Sequence, residues 1–157
     1  SCYYGLQLLD HYKRKDIDQT ICIVESEKTA LLMAIAYGNH RKQLWMASCG
    51  MTNITRDRLR PIIEQKRRVV LYPDRDGVER WKKQAAGLEY DRVMVDARPV
   101  TEWWQEGDGE KADIADIVVN RINKKKVTEK PGVKLLIDRL GLEVCENSKK
   151  KDDGKEE

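Results

Sequence analysis

The feature that most constrains the fold is a regular alternation of short apolar runs and longer helical segments between residues 20 and 123. The runs are rich in Val, Ile and Leu, which favours strands buried on both faces of a sheet. The predicted strands are Thr20–Val24, Gln43–Ala47, Arg68–Tyr72 and Asp91–Val95.

The segments that follow these strands carry apolar residues at helical spacing, over 27–37, 55–66, 77–87 and 113–123. Such an alternation predicts an α/β domain with a mainly parallel sheet of about four strands flanked by helices. Ligands of open α/β sheets gather at the carboxyl ends of the strands, so the residues that follow each strand are the functional candidates.

A length of 157 residues suits one domain. The sequence predicts a helical lead-in over 1–19, the α/β domain over 20–125, a C-terminal helix over 126–145, and a disordered tail over 146–157 that has no apolar side chain. The first residue is Ser rather than Met, which favours a piece of a longer protein.

Composition excludes several classes of protein. No apolar run approaches the length of a membrane-spanning helix, no signal peptide is visible, and we expect a cytoplasmic protein without membrane contact. The four cysteines form no closely spaced pair, which argues against a zinc site and for a reducing compartment. The net charge of +3 is too small to indicate nucleic-acid binding unless basic residues cluster locally.

Acidic residues follow the first and the third predicted strands. Glu25 comes directly after the first, and Asp74 and Asp76 follow the third. In a parallel sheet these carboxylates converge at one edge, and their mutual repulsion is costly unless a cation lies among them. Oxygen ligands of this kind suit Mg²⁺, and Asp113 is a candidate for a further ligand.

Each acid also has an ordinary structural interpretation. Asp74-Arg75-Asp76-Gly77 is a common turn sequence, and Asp113 is well placed to cap the helix that follows it. The sequence leaves both interpretations open.

Three segments resemble the motifs of Toprim domains, the module that DnaG-type primases share with topoisomerases. ICIVESEKTA at 21–30 resembles the first motif, in which a strand ends in Glu. VVLYPDRDG at 69–77 resembles the second, a strand followed by Asp-x-Asp and Gly, and GEKADIADIV at 109–118 resembles a later acidic segment of primase-like members. The likeness is greatest to the primase-like proteins of plasmids, phages and mobile elements.

The resemblance implies a Rossmann-like Toprim fold and nucleotidyl transfer that depends on Mg²⁺ or Mn²⁺. It assigns the metal to Asp74 and Asp76 with Asp113, and lets Glu25 complete the metal site or act as general acid or base. The catalytic candidates are therefore Glu25, Asp74 and Asp76.

Three further residues are candidates for substrate binding. Lys28 lies in the first turn of the helix after Glu25, where a phosphate is favoured, although a solvated lysine is equally consistent. Gly50 permits close backbone approach or simply forms a turn, and Arg75 lies between the two aspartates.

One position departs from the Toprim pattern. Aligning Gly77 with the family's glycine places Tyr72 at the first Asp of the Asp-x-Asp motif. Aligning Asp74 and Asp76 with the two aspartates instead shortens the loop before Gly77, and the sequence does not decide between the two registers. Tyr72 itself is interpreted as strand packing rather than as a nucleophile.

The implied partners are DNA, with nucleotides as substrates, and other domains of a longer protein such as a helicase. Basic stretches at 56–68 and 121–130 and the Trp103-Trp104 pair are candidate contacts, although solvated helix faces and packing at a sheet edge explain them as well. Three hypotheses follow: a primase-like enzyme domain, an eroded Toprim module that binds nucleic acid or a partner protein, and an unrelated doubly wound domain with phosphate chemistry.

Overall fold

The computed structural model describes residues 2–11, 19–37 and 42–124. Its strands are β1 (Thr20–Val24), β2 (Gln43–Ala47), β3 (Arg68–Leu71) and β4 (Val93–Val95). Its helices are α1 (Leu8–His11), α2 (Glu27–Tyr37), α3 (Arg56–Glu64), α4 (Val78–Ala86), α5 (Arg98–Thr101) and α6 (Ile114–Lys124), and a 3₁₀ turn, Arg75–Gly77, precedes α4.

The four strands form one parallel sheet in the order β2-β1-β3-β4, which confirms the predicted α/β class. Cys22 in β1 pairs with Trp45 on one side and Val70 on the other. Both central strands are buried throughout their inner residues, as their continuous apolar sequence requires.

The two faces of the sheet are covered by different helices. One face packs on α3 and α4 in a large core that includes Leu59, Ile62 and the fully buried Trp81. The other face packs on α2 and α6 around Met33 and Ile114. This arrangement follows from right-handed crossovers, because the chain moves one way from β1 to β2 and the opposite way through β3 to β4.

Some predicted boundaries need correction. The third strand ends at Leu71, although the Tyr72 N–H still donates to the Ile23 carbonyl at 2.8 Å. The fourth strand begins at Val93 because residues 91 and 92 form a turn, and α5 was not predicted.

The lead-in is helical only over Leu8–His11 within the residues described. Tyr4, within the predicted helical lead-in, instead forms an antiparallel bridge with Ala47 at the outer edge of β2. The predicted C-terminal helix and tail lie outside the described residues. Among the residues described, no helix is long and apolar enough to cross a membrane.

Candidate functional site

The candidate site lies at the carboxyl ends of the neighbouring strands β1 and β3. The connections that follow these two strands run to opposite sides of the sheet. The chain turns from β1 through α2 to one neighbour and from β3 through α4 to the other, which opens a crevice at the carboxyl edge. Glu25 and Asp74 follow these two strands and therefore border the same crevice.

Glu25 is half-buried, and its Oε2 atom is shielded from solvent without a hydrogen-bond partner. Burial raises the pKa of its carboxyl group, and the nearby Asp76 raises it further. Arg80 and the backbone N–H of Met51 act in the opposite direction. An unpaired buried carboxylate oxygen is costly, so this atom is a site where a cation or a proton donor would stabilise the protein.

Asp74 has the most perturbed environment among the acids of the crevice. Burial raises the pKa of its carboxyl group to about 7, and the charges of four neighbouring carboxylates act in the same direction. Those neighbours are Glu25, Asp113, Asp76 and Asp116. The Asp74 side chain does not cap the 3₁₀ turn that follows it. The turn interpretation therefore does not explain its carboxylate. Glu25, Asp74 and Asp76 lie close enough for their charges to act on one another.

Asp113 adopts the alternative role that its sequence suggested. Its Oδ1 accepts the Asp116 N–H at 2.8 Å, while the Asp116 carboxylate accepts the Asp113 N–H at 3.1 Å, a reciprocal cap on α6. Its Oδ2 accepts the hydroxyl of Thr29, a buried residue of α2. Asp113 remains a predicted metal ligand, but both of its oxygens already accept hydrogen bonds.

Within residues 2–11, 19–37 and 42–124, no three side chains of His, Cys, Asp and Glu are arranged so that they could hold a metal ion together. The acids of the crevice are thus close enough to affect one another's ionisation without forming a preassembled cage.

Of the predicted substrate-binding residues, Lys28 is exposed to solvent, whereas Gly50 has a structural role in a turn. Lys28 is exposed in the first turn of α2, close to the carboxyl edge. Gly50 has a backbone φ of +138°, and a Cβ there would lie 3.0 Å from the Asn53 side-chain nitrogen. That nitrogen donates to the carbonyls of Ser48 and Cys49, so turn geometry accounts for the glycine.

Arg75, the third predicted substrate contact, is engaged within the fold. Its guanidinium lies 3.9 Å from the centre of the Trp104 ring and donates to the Val100 carbonyl at 2.9 Å. The indole N–H of Trp104 donates to the Gly109 carbonyl, so this tryptophan packs against its own loop. Trp103 is exposed, and of the pair it is the one available to a partner.

Tyr72 extends β3 toward the crevice, but its ring packs on the α2 side of the sheet. It stacks on Trp45 with 5.3 Å between ring centres, and Trp45 stacks in turn on Tyr37. Burial holds the pKa of the Tyr72 hydroxyl well above its usual range. This environment agrees with strand packing and leaves Tyr72 without the properties of a nucleophile.

The basic stretch at 56–68 does not form one surface. Arg56 and Arg60 lie on α3, whereas Arg68 begins β3 at the amino edge of the sheet. Arg56 donates to the Leu88 carbonyl, and Arg67 is buried. Of the second stretch, residues 125–130 lie outside the described part of the chain.

Sequence reasoning missed Arg80, the basic residue whose charge acts on Glu25. It is exposed in the first turn of α4, three residues after Gly77. Arg80 could have been predicted from the topology, because a helix that follows a parallel strand begins at the carboxyl edge of the sheet and places its first turn there.

A family model described as a domain of unknown function, DUF6371, is similar to this chain over residues 1–75. The matched region includes β1, β3, Glu25 and Asp74, while Asp76 and Asp113 lie beyond it. Neither the curated proteins nor the solved structures contain a match to this chain.

Proposed function

We propose that this chain is a Toprim-like domain that transfers nucleotidyl groups on nucleic acid with the help of Mg²⁺ or Mn²⁺. The observation that carries the proposal is the buried, unpaired Oε2 of Glu25 among carboxylates at the switch point of the sheet. The order and spacing of the three Toprim-like segments support it as well.

The residues present fit a hard divalent cation. The acidic side chains of the crevice offer carboxylate oxygens as ligands. Asp76 raises the pKa of Glu25, and Glu25 raises the pKa of Asp74, through negative charge that a cation would neutralise. Mg²⁺ commonly takes only one or two protein carboxylates and completes its shell with waters and substrate phosphates.

Asp74 and Asp76, with Asp113, would hold the cation, and Glu25 would be a further ligand or the general base. A bound cation would neutralise the phosphates of an incoming nucleotide and favour ionisation of the attacking hydroxyl. Glu25, with its raised pKa, suits proton transfer from that hydroxyl. Lys28 and Arg80 are exposed at the same edge and would bind phosphates of the substrate.

The proposal is tested by titrating Mg²⁺ into the protein and recording amide chemical shifts. We expect residues 25–28 and 74–77 to shift together with a Kd near ~1 mM, because few protein ligands are present. Asp74→Asn should abolish these shifts, whereas the matched charge change Asp91→Asn, at the exposed turn before β4, should preserve them. No shift in the wild type at about 10 mM Mg²⁺ would contradict the metal site.

Catalysis requires a separate assay. Phosphate contacts from a chain of net charge +3 are weak, so we expect this chain alone to synthesise little or no primer, and extension to require the flanking regions of a longer protein. Robust primer synthesis by residues 1–157 alone would contradict that dependence on flanking regions.

A second candidate, a Toprim-like module that binds nucleic acid or a partner protein without catalysis, is favoured by one observation. If Tyr72 occupies the first position of Asp-x-Asp, that position holds a ring stacked on Trp45 rather than a carboxylate. Nucleic-acid binding that persists in EDTA and in the Asp74→Asn variant would favour this module over the enzyme.

A further inference from the structure

The two outer edges of the sheet differ in how they are covered. The edge of β2 is partly covered by the start of the chain, where Tyr4 forms an antiparallel bridge with Ala47. Strand β4 lies at the other edge, and among the strands described it pairs only with β3. An unpaired edge of this kind is able to pair with a further strand.

The pairing of β4 with β3 identifies the backbone groups of β4 that point away from the sheet. The Asp96 N–H donates to the Leu71 carbonyl at 2.9 Å. Because alternate residues of a strand direct their backbone groups to the same side, those of Met94 also face β3, and those of Val93 and Val95 face outward.

Most of these outward groups have no partner within the described part of the chain. The Val93 carbonyl and both backbone groups of Val95 make no hydrogen bond there, and the Val93 N–H makes only a long bond of 3.4 Å to the Tyr90 carbonyl. A groove of about 520 Å³ borders this edge and is lined by Ala85 and Ala86 at the end of α4. The edge therefore offers donors, acceptors and space for another strand.

The side chains of β4 alternate between the two faces of the sheet. Val93 and Val95 pack against the core on the α4 side, whereas Met94 lies on the opposite face and is 49% exposed. Natural edge strands are commonly protected by charged residues or proline. The middle of this edge instead carries a large apolar side chain in contact with solvent.

We propose that β4 pairs with β4 of a second copy of this chain, antiparallel and about a two-fold axis beside Met94. This register places Val93 opposite Val95 of the second copy, and Val95 opposite Val93 of the second copy. Each of these two pairs exchanges both N–H···O bonds, so the outward groups of both strands are satisfied. The two Met94 side chains meet at the axis. The surface is separate from the crevice and does not depend on the proposed metal.

The charges at the ends of β4 favour a second copy, in antiparallel orientation, as the occupant. Arg92 precedes the strand and Asp96 follows it. Antiparallel pairing brings each next to the opposite charge of the second copy, whereas parallel pairing in register would bring like charges together. Asp96 already accepts bonds from Arg98, so this attraction sets the direction of pairing more than its strength. The outward groups are also symmetric about Met94, as a two-fold interface requires.

The first test is sedimentation velocity of the folded 157-residue chain between about 10 µM and about 0.5 mM, with a reducing agent present. A three-residue strand gives a small interface, so we expect a weak, reversible dimer that accumulates at the higher concentrations. Met94→Lys should keep the chain monomeric, because two ammonium groups would meet at the axis. Leu31→Lys, the matched change at a half-exposed side chain of α2, should dimerise as the wild type does.

The second test, Met94→Cys, examines the register. Opposite residues of an antiparallel pair that exchange no hydrogen bonds have Cα atoms about 4.5 Å apart, which is within the range of a disulfide. We expect mild oxidation to link the two introduced thiols across the axis, as identified by peptide mapping. Leu31→Cys is the control, and its introduced thiols should link much more slowly.

Several results would overturn the proposal. One is a wild-type chain that stays monomeric at about 0.5 mM, and another is equal dimerisation of the wild type and Met94→Lys. A third is cross-linking of Leu31→Cys at the rate of Met94→Cys. A monomeric wild type whose Val93 and Val95 amides become protected when an extended peptide is added would assign the edge to peptide binding instead of a second copy.

Discussion

Replacing Asp74 by Asn tests directly whether the crevice holds charges that repel one another in the absence of metal. The carboxyl group of Asp74 has a pKa of about 7 in the folded protein, against an ordinary value of 3.8. Between these two values the folded chain binds a proton that the unfolded chain has lost. The free energy of unfolding therefore falls as the pH rises across this range.

The size of this effect has an upper bound. A shift of about three pKa units corresponds to ~4 kcal/mol at ~1.4 kcal/mol per unit. Asp74 is only partly buried, and solvent screening reduces this bound to about 1–2 kcal/mol. Asn keeps the shape of the side chain without the charge, so the free energy of unfolding of the variant should not fall as the pH rises across this range.

Thermal unfolding of the EDTA-treated protein at two pH values measures the difference. At about pH 8 we expect Asp74→Asn to melt about 3–6 °C above the wild type, and at about pH 4.5 the two should nearly coincide. Asp91→Asn, which removes the same charge from an exposed turn, should melt with the wild type at both pH values.

A lower melting temperature for Asp74→Asn at about pH 8 would refute this reasoning, because it would show that the Asp74 carboxylate is stabilised in the folded protein. Equal melting at both pH values would mean that Asp74 is solvated like an ordinary turn residue. In either case the carboxylates would not form the repulsive group from which we infer the metal site.

Three further predictions concern stability. About 10 mM Mg²⁺ should stabilise the wild type by ~1.4 kcal/mol in a thermal melt if the Kd is near 1 mM, and should leave Asp74→Asn unchanged; equal stabilisation of both proteins would remove Asp74 from the site. Thr29→Val removes a buried hydroxyl donor from Asp113 and should cost about 1–3 kcal/mol in urea unfolding, whereas the exposed Thr101→Val should change stability little. Trp81→Phe removes the indole bond to the loop after β2 together with core volume, and should cost about 1–3 kcal/mol; a loss below about 0.5 kcal/mol would contradict the packing described here.

The sheet could be predicted because its signal is local. Thr20–Val24 and Gln43–Ala47 are apolar on both faces and are bounded by polar residues, and the structure places both strands at the predicted residues. The fourth strand was less well bounded, since Asp91 and Arg92 are polar and form a turn rather than the start of β4. Helix α5 has four residues and no periodicity that a sequence could reveal.

The candidate site was partly predictable for a related reason. The placement of Glu25 and Asp74 follows from strand order, because Glu25 comes directly after β1 and Asp74 comes three residues after the end of β3. The contact between the Arg75 guanidinium and the Trp104 ring could not be predicted, because it depends on how the loop that carries Trp104 packs, and the two residues are far apart in the sequence. The same is true of the Thr29 hydroxyl, which meets Asp113 from a different helix.

The topology also explains how a group of acids persists in the crevice. Helices α2 and α6 both begin at this edge, and their first turns carry backbone N–H groups and a partial positive charge. Asp113 and Asp116 take up those donors on α6, so their charges are compensated locally. Arg80 and the Met51 N–H partly compensate the charge of Glu25, but its buried Oε2 accepts no hydrogen bond, and the Asp74 side chain does not cap the turn that follows it. The unbalanced negative charge therefore lies between β1 and β3, and a divalent cation carrying its own waters and phosphates would offset it there.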